Sequence, residues 1–305
     1  MRTSRKVGGV VGLALLGAVA ALFLYELPYA GLMSPPERAL VFAHRGFGNL
    51  APDNSLAGAR LALRERIDGV DVDAQLTRDG EIVIFHDVSL ERFTSGEGRV
   101  DARTMAELRA FDLAESFGRG FPNAPISSFE DFVAELTPAT LLMVELKVPG
   151  LRDTGIERRA IEIIAKHDAF GQVYLSSFNP MVLWRLKRLE PRVRTVFIFM
   201  DTGWDPERVA ATREEDRVAL PWYLQNDVTR RAIRNLVRPD ALSINLGVDE
   251  ATIDRLLDKG YPVFLWPVND ESEIAWALEK RPYGLVSDEP LIAREMRDQF
   301  ADRGP

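Results

Sequence analysis

At 305 residues, with 46% apolar and 28% charged side chains, the chain has the composition of an ordinary globular protein rather than a disordered one. Acidic residues outnumber Lys and Arg by 46 to 38, a formal charge of -8, which argues against nucleic acid as the main partner because phosphate backbones are held by clustered cations. Cysteine is absent, so disulfides, thiolate metal sites and cysteine nucleophiles are excluded.

The chain begins with Arg2, Arg5 and Lys6, and then runs from Val7 to Leu24 without a charge (VGGVVGLALLGAVAALFL). As a helix this run would extend about 27 Å, close to the hydrocarbon thickness of a bilayer. Tyr25 and Tyr29 follow where the far interface would lie. We read residues 1–6 as a basic N-terminus and 7–25 as a single transmembrane anchor, with a cleaved signal peptide as the alternative. The apolar core of a signal is usually shorter, and Ala18-Val19-Ala20 lies inside the run rather than after it. Either reading keeps the basic end inside, which predicts that the rest of the chain is exported, periplasmic or extracellular. Residues 26–38, carrying Pro35 and Pro36, read as a linker. Residues 39–298 read as one domain.

Within that domain short β-rich runs alternate with longer amphipathic stretches. The runs are ALVFAH (39–44), GVDVDAQLT (69–77), EIVIFH (81–86), TLLMVELK (140–147), QVYLSSF (172–178), VRTVFIF (193–199), ALSINL (241–246), YPVFLWPV (261–268) and YGLVS (283–287). Helical patterns lie between them at 153–167, 180–190, 249–260 and 270–281, the third ending in Gly260, a helix stop of the expected kind. Alternation at this spacing implies parallel βαβ units and an α/β fold, in which a closed (β/α)8 barrel needs eight strands. One run exceeds the barrel's need. The surplus is assigned to the pair GVDVDAQLT and EIVIFH, because Asp79-Gly80 between them is a hairpin turn signal. A two-residue turn there pairs Arg78 with Glu81 and sets Asp73 opposite His86.

Chemistry-bearing residues close several of these strands. Asp71 and Asp73 alternate, so both carboxylates share a face. Two like charges on a buried face are costly without a positive partner, and a hard divalent cation, Ca²⁺ or Mg²⁺, is the natural one. Glu145 ends the apolar run LLMV, with Lys147 on the same face. His44 and His86, two of the three histidines, each close an apolar strand, and such a pair suits general acid and base work. Asp87 follows His86 and could orient its ring or cap the next segment. His167, at a helix end, is assigned no role. Arg45 beside His44 offers a planar donor for a phosphate or a carboxylate. On these residues alone the reading is metal-dependent chemistry on a phosphodiester or phosphomonoester.

The same residues, in order, resemble the glycerophosphodiester phosphodiesterase family. Its pattern opens with H-R-G and P-E-N-T, then runs as E-x-D-V-x-x-T-x-D-G-x-x-V-x-x-H-D. Here these are His44-Arg45-Gly46, Pro52-Asp53-Asn54-Ser55 and DVDAQLTRDGEIVIFHD (71–87). Leu90-x-Arg92 with Thr94, Gly96 and Gly98, then Glu145-Leu146-Lys147, SSFNP (176–180), LWPVND (265–270) and VSDEP (286–290) extend the likeness. The resemblance implies a TIM barrel that hydrolyses glycerophosphodiesters to sn-glycerol 3-phosphate and an alcohol. It further implies Asp71, Asp73 and Glu145 as metal ligands, and His44 and His86 as the acid/base pair. Arg45, Lys147 and Trp266 are implied on the substrate side, with Asp53 and Asn54 as supports behind the ligands. Two positions depart from the pattern, since Asp71 and Asp53 stand where the family usually has Glu. Alternatives are a lysophospholipase D-type activity on lipids and, in another class, a non-catalytic barrel that binds a phosphodiester.

Overall fold

The computed structural model describes residues 17–118, 121, 123–201 and 221–302. Nine strands form the sheet: β1 Leu40–Ala43, β2 Gly69–Leu76, β3 Ile82–Ile84, β4 Leu141–Leu146, β5 Val173–Ser177, β6 Arg194–Phe199, β7 Ala241–Asn245, β8 Val263–Trp266 and β9 Gly284–Ser287. Their order is β1-β9-β8-β7-β6-β5-β4-β2-β3, and β1 also pairs with β2. Eight parallel strands therefore close into a barrel, while β3 lies antiparallel on β2 as the surplus strand. The β-rich runs match the nine strands, and the four helical patterns become helices Ile156–Lys166, Pro180–Leu189, Glu250–Asp258 and Glu271–Glu279.

Period-two alternation sorts each strand between two cores. Val41 and Ala43 of β1, Val70 and Val72 of β2, and Leu142, Val144 and Leu146 of β4 belong to the large core beneath the helices. The intervening Phe42 and Met143 join Tyr174, Val196, Phe264 and Val286 in a second cluster that fills the barrel. Gly69 makes room for this filling, since a Cβ there would lie 2.4 Å from the Phe42 ring. Continuing each inward series toward the strand's C-terminal end leads from Phe42 to His44, from Gly69 to Asp71 and Asp73, and from Met143 to Glu145 and Lys147. The polar residues thus collect at one mouth of the barrel. A third apolar cluster, including Val83, Phe85, Leu90, Val100 and Leu108, supports the long connection after β3 beside that mouth.

The hairpin register differs from the expected one by a single residue. Ala74 pairs with Ile84, Gln75 with Val83 and Leu76 with Ile82. Thr77 N–H donates to Glu81 O (2.9 Å), and Gly80 takes a φ of 80°. The loop is therefore three residues with a left-handed glycine rather than a two-residue turn. Asp73 consequently exchanges its backbone bond with Phe85 N–H (2.8 Å), not with His86.

Of the anchor expected at 7–25, residues 7–16 lie outside the described residues, as does the basic start at 1–6, and residues 17–24 are helical. None of the helices among the described residues is long and apolar enough to cross a membrane, so the expected span is not supported. The segment read as a linker packs on the barrel. Glu26 is buried in a two-pronged pair with Arg234 (2.9 and 2.5 Å), Leu27 N–H donates to Asn235, and Leu32 N–H donates to Asp240 (2.9 Å). Met33 inserts into the inner cluster. Asp240 immediately precedes β7, so this strap closes the end of the barrel opposite the polar mouth.

Candidate active site

His44 leaves the end of β1 with its backbone N–H bonded to Ser287 O. Its Nδ1 lies 2.7 Å from Asp288 Oδ1, and Asp288 Oδ2 in turn accepts from Asn269 Nδ2 (2.8 Å). This chain of partners presents Nε2 to the mouth. Burial lowers the basicity of His44, but the bond to Asp288 and its charge outweigh it, and the net shift is upward.

Arg45 sits in the left-handed region at φ 51°, a conformation that costs a residue with a Cβ about 1 kcal/mol. The turn is held by Gly46 N–H to Asp71 O and by Asn54 N–H to Arg45 O. Arg45 Nη1 donates to Asp53 Oδ2 (3.2 Å), while its Nε lies 3.9 Å from Asp73. Burial raises the Asp53 carboxyl, and Arg45 opposes that rise without cancelling it. Gly48, at φ 48°, presses on the orienting aspartate: a Cβ would fall 2.2 Å from Asp288 O and 2.6 Å from its Cα. Gly48→Ala must displace that backbone. We expect it to cost about 2 kcal/mol of stability and to lower kcat about tenfold or more through the His44–Asp288 geometry, read by denaturant melts and steady-state kinetics.

Asp71 and Asp73 project from β2 and Glu145 from β4, with Asp73 and Glu145 directly paired in register. Asn54 clasps Asp73 twice, through Nδ2 to Oδ2 (3.0 Å) and by accepting the Asp73 N–H (2.9 Å). Lys147 Nζ stands 3.2 Å from Asp73 and 3.5 Å from Glu145. Burial pushes Asp71 up to about 7 and Glu145 up to about 6, each aided by neighbouring carboxylates. Asp73 moves the other way: burial raises it, but Lys147, His86, Arg45 and the Asn54 bond together hold it well below the usual range.

His86 enters the mouth just beyond β3. Its Nδ1 is bonded to Asp87 Oδ1, as the adjacency suggested, and Asp87 is fully buried with Arg92 Nη1 3.6 Å away. Burial, then Lys147 and Arg45, push the imidazole down to about 4. Gln75 Nε2 gathers the carbonyls of Phe85, His86 and Asp87 at 2.9, 3.1 and 2.7 Å, pinning the segment. Trp266, at the end of β8, overlies the inner cluster with its ring edge-on to Phe178 at 6.2 Å. His167 pairs with Glu130 on the outer helix layer.

The mouth therefore brings together His44, Arg45, Asp53, Asn54, Asp71, Asp73, His86, Glu145 and Lys147. Sequence reasoning passed over Asp288, Asn269 and Gln75, although Asp288 sits in VSDEP and Asn269 in LWPVND at strand ends, which was the available signal. The oxygen donors fit a hard divalent cation, because the surplus charge that raises Asp71 and Glu145 is what a cation relieves. As placed, no three His, Asp or Glu side chains meet as a ready metal cluster among the described residues, and Lys147 stands between Asp73 and Glu145.

The profile of the Glycerophosphoryl diester phosphodiesterase family matches residues 44–292. A glycerophosphodiester phosphodiesterase from Caldanaerobacter subterraneus subsp. tengcongensis is 25% identical over 83% of this chain and 95% of its own. Glycerophosphodiester phosphodiesterase 1 of Bos taurus is 28% identical over 85% of this chain and 81% of its own. Among solved structures, a phosphodiesterase from Oleispira antarctica in complex with the product sn-glycerol-3-phosphate superposes with a TM-score of 0.68 at 26% identity, covering 86% of this chain and 97% of that one. The glycerophosphodiester phosphodiesterase of Thermotoga maritima shares the fold at a TM-score of 0.62 and 19% identity, over 86% and 100% of the two chains.

Proposed function

The chain belongs to the glycerophosphoryl diester phosphodiesterase family, and from that premise we propose that it hydrolyses glycerophosphodiesters to sn-glycerol 3-phosphate and an alcohol through a cation-assisted, two-histidine mechanism. It is a phosphoric diester hydrolase. The observation that carries the mechanism is a pair of imidazoles, each tied through Nδ1 to its own carboxylate, at a mouth that also holds Arg45 and Lys147.

Arg45 and Lys147 neutralise the non-bridging phosphoryl oxygens, Arg45 being held in place by Asp53. Oxygen attack on phosphorus forms one P–O bond as the bond to the leaving oxygen breaks. One imidazole accepts a proton from the attacking water, whose oxygen bonds to phosphorus, and the other gives a proton to the leaving alcohol oxygen. Asp288 and Asp87 fix each ring's tautomer and aim Nε2 at the reacting atoms. Asp71, Asp73 and Glu145 would hold the divalent cation, Ca²⁺ or Mg²⁺, which supplies Lewis-acid stabilisation of phosphoryl charge. The shorter Asp71 keeps the charge count of the usual Glu.

The purified protein, assayed on glycerophosphoglycerol with Ca²⁺ or Mg²⁺ and again after chelation, should release sn-glycerol 3-phosphate only with the cation present. Unimpaired turnover in chelator would remove the cation from the mechanism. An absence of release under every condition would favour the non-catalytic phosphodiester-binding barrel instead.

A further inference from the structure

Beside the mouth, between Pro52-Asp53 and the connection that follows β3, lies a cavity of about 240 Å³ lined by Pro52, Asp53, Arg92, Phe93, Ser116 and Phe117. Its two charged walls connect directly to the catalytic residues. Asp53 accepts from Arg45, and Arg92 approaches Asp87, the partner of His86. A phosphodiester seated at Arg45 therefore has one substituent positioned to enter this space. The barrel floor is already filled by Phe42, Met143, Tyr174 and Phe264, so the open rim is where an alcohol of variable size finds room.

The walls also have a definite chemistry. Arg92 lies over the Phe93 ring at 4.7 Å, with 48% of its side chain exposed, which fixes the guanidinium plane while leaving donors facing solvent. Asp53, 27% exposed, supplies an acceptor on the opposite wall. Phe93 and Phe117 provide apolar faces. We propose that this cavity is the alcohol subsite and that it selects glycerophosphodiesters whose alcohol is polyhydroxylated, such as glycerol or inositol, over those carrying a quaternary ammonium. The inference rests on the hydrolase reading above and deepens it. Hydroxyls accept from Arg92 and donate to Asp53 while their C–H faces lie on the phenyl rings. Trimethylammonium has no proton for Asp53, whose charge is already paired with Arg45, and no acceptor for Arg92, which already covers the Phe93 face that an ammonium would need. A subsite built to hydrogen-bond a hydroxyl disfavours a partner lacking one because its own polar groups are left unpaired.

The test compares kcat/KM of the full-length protein on glycerophosphoglycerol and glycerophosphocholine. Wild type should prefer the polyol substrate by about tenfold or more, a discount on fully enclosed sites because the cavity is open. Arg92→Met should collapse that ratio toward one, and Arg92→Lys, which keeps a cation but loses the planar fork, should restore part of it. A uniform loss through Asp87 and His86 would scale both substrates and leave the ratio unmoved, so the ratio isolates the subsite. Equal or reversed preference in wild type overturns the subsite while the hydrolase stands, and this arm needs no variant to fold. Hydrolysis of neither substrate overturns both readings.

Discussion

His44→Ala and His86→Ala should each lower kcat about 10²- to 10⁴-fold, the range contributed by a positioned proton donor or acceptor, with far smaller changes in KM. Stability separates this from a structural role, because the two imidazoles are shifted in opposite directions. His44 is raised, so the stability it contributes is fully present below its unfolded pKa and is lost as pH rises through the folded value. His44→Ala therefore destabilises the fold most on the acid side, and the deficit shrinks as pH rises through the raised folded value. His86 is lowered to about 4, so the folded state prefers it neutral and stability is lost as pH falls from about 6.5 toward 4. His86→Ala removes that acid-side loss, so its stability relative to wild type should improve as pH falls from about 6.5 toward 4, on top of a constant cost for leaving the buried Asp87 without its imidazole. Either variant retaining wild-type kcat would take that residue out of the mechanism.

The parts of the site legible in the sequence are those set by local periodicity. Asp71 and Asp73, Glu145 and Lys147, and His44 each continue an inward series of a strand, so alternation alone places them at the mouth once parallel strands are inferred. Asp288 acts on a residue at the far end of the chain, and only the closure of β1 against β9 makes them neighbours. No spacing rule reaches across that separation. Gln75 was hidden for a different reason: it stands in the same alternation as Asp73, but its partners are backbone carbonyls, which carry no sequence signature.

The hairpin shows how a small turn choice redirects a strand. Asp-Gly signals a two-residue turn, yet the Thr77 hydroxyl bonds Asp79 and receives the Glu81 N–H, stabilising a three-residue loop. A one-residue slip would ordinarily reverse every side chain on the added strand. Here Phe85 goes into the cluster that supports the rim, and His86 reaches the mouth beyond the strand's end. The chain before β1 likewise looked detachable from its prolines, whereas the buried pair Glu26–Arg234 ties it to the barrel base.

Asp71→Asn should abolish most turnover while raising the melting temperature of the metal-free protein. Burial and the nearby carboxylates hold Asp71 at about 7, far above the ordinary 3.8 of an aspartate, so ionising it costs the fold free energy. Glu145, at about 6, adds to the same effect. A carboxyl raised on folding gives the native state the greater number of bound protons, and stability then falls as pH climbs from about 4 to 7. Asp73 has the opposite sign, its contribution being present at neutral pH and lost only in strong acid, so it cannot produce that slope. Asn keeps the shape of Asp71 and removes its charge, which should recover about 1–3 kcal/mol at pH 8 and flatten the decline between pH 4 and 7. For a domain of this size each kcal/mol raises the melting temperature by about 2 °C or more. A divalent cation should reverse the ranking, stabilising wild type by mass action and the variant much less. Thermal melts of both proteins across pH, with chelator and with millimolar Ca²⁺ or Mg²⁺, read all of this at once. A variant less stable than wild type in chelator would mean that Asp71 is already compensated by the protein, and the case for a cation at these carboxylates would lose its electrostatic ground.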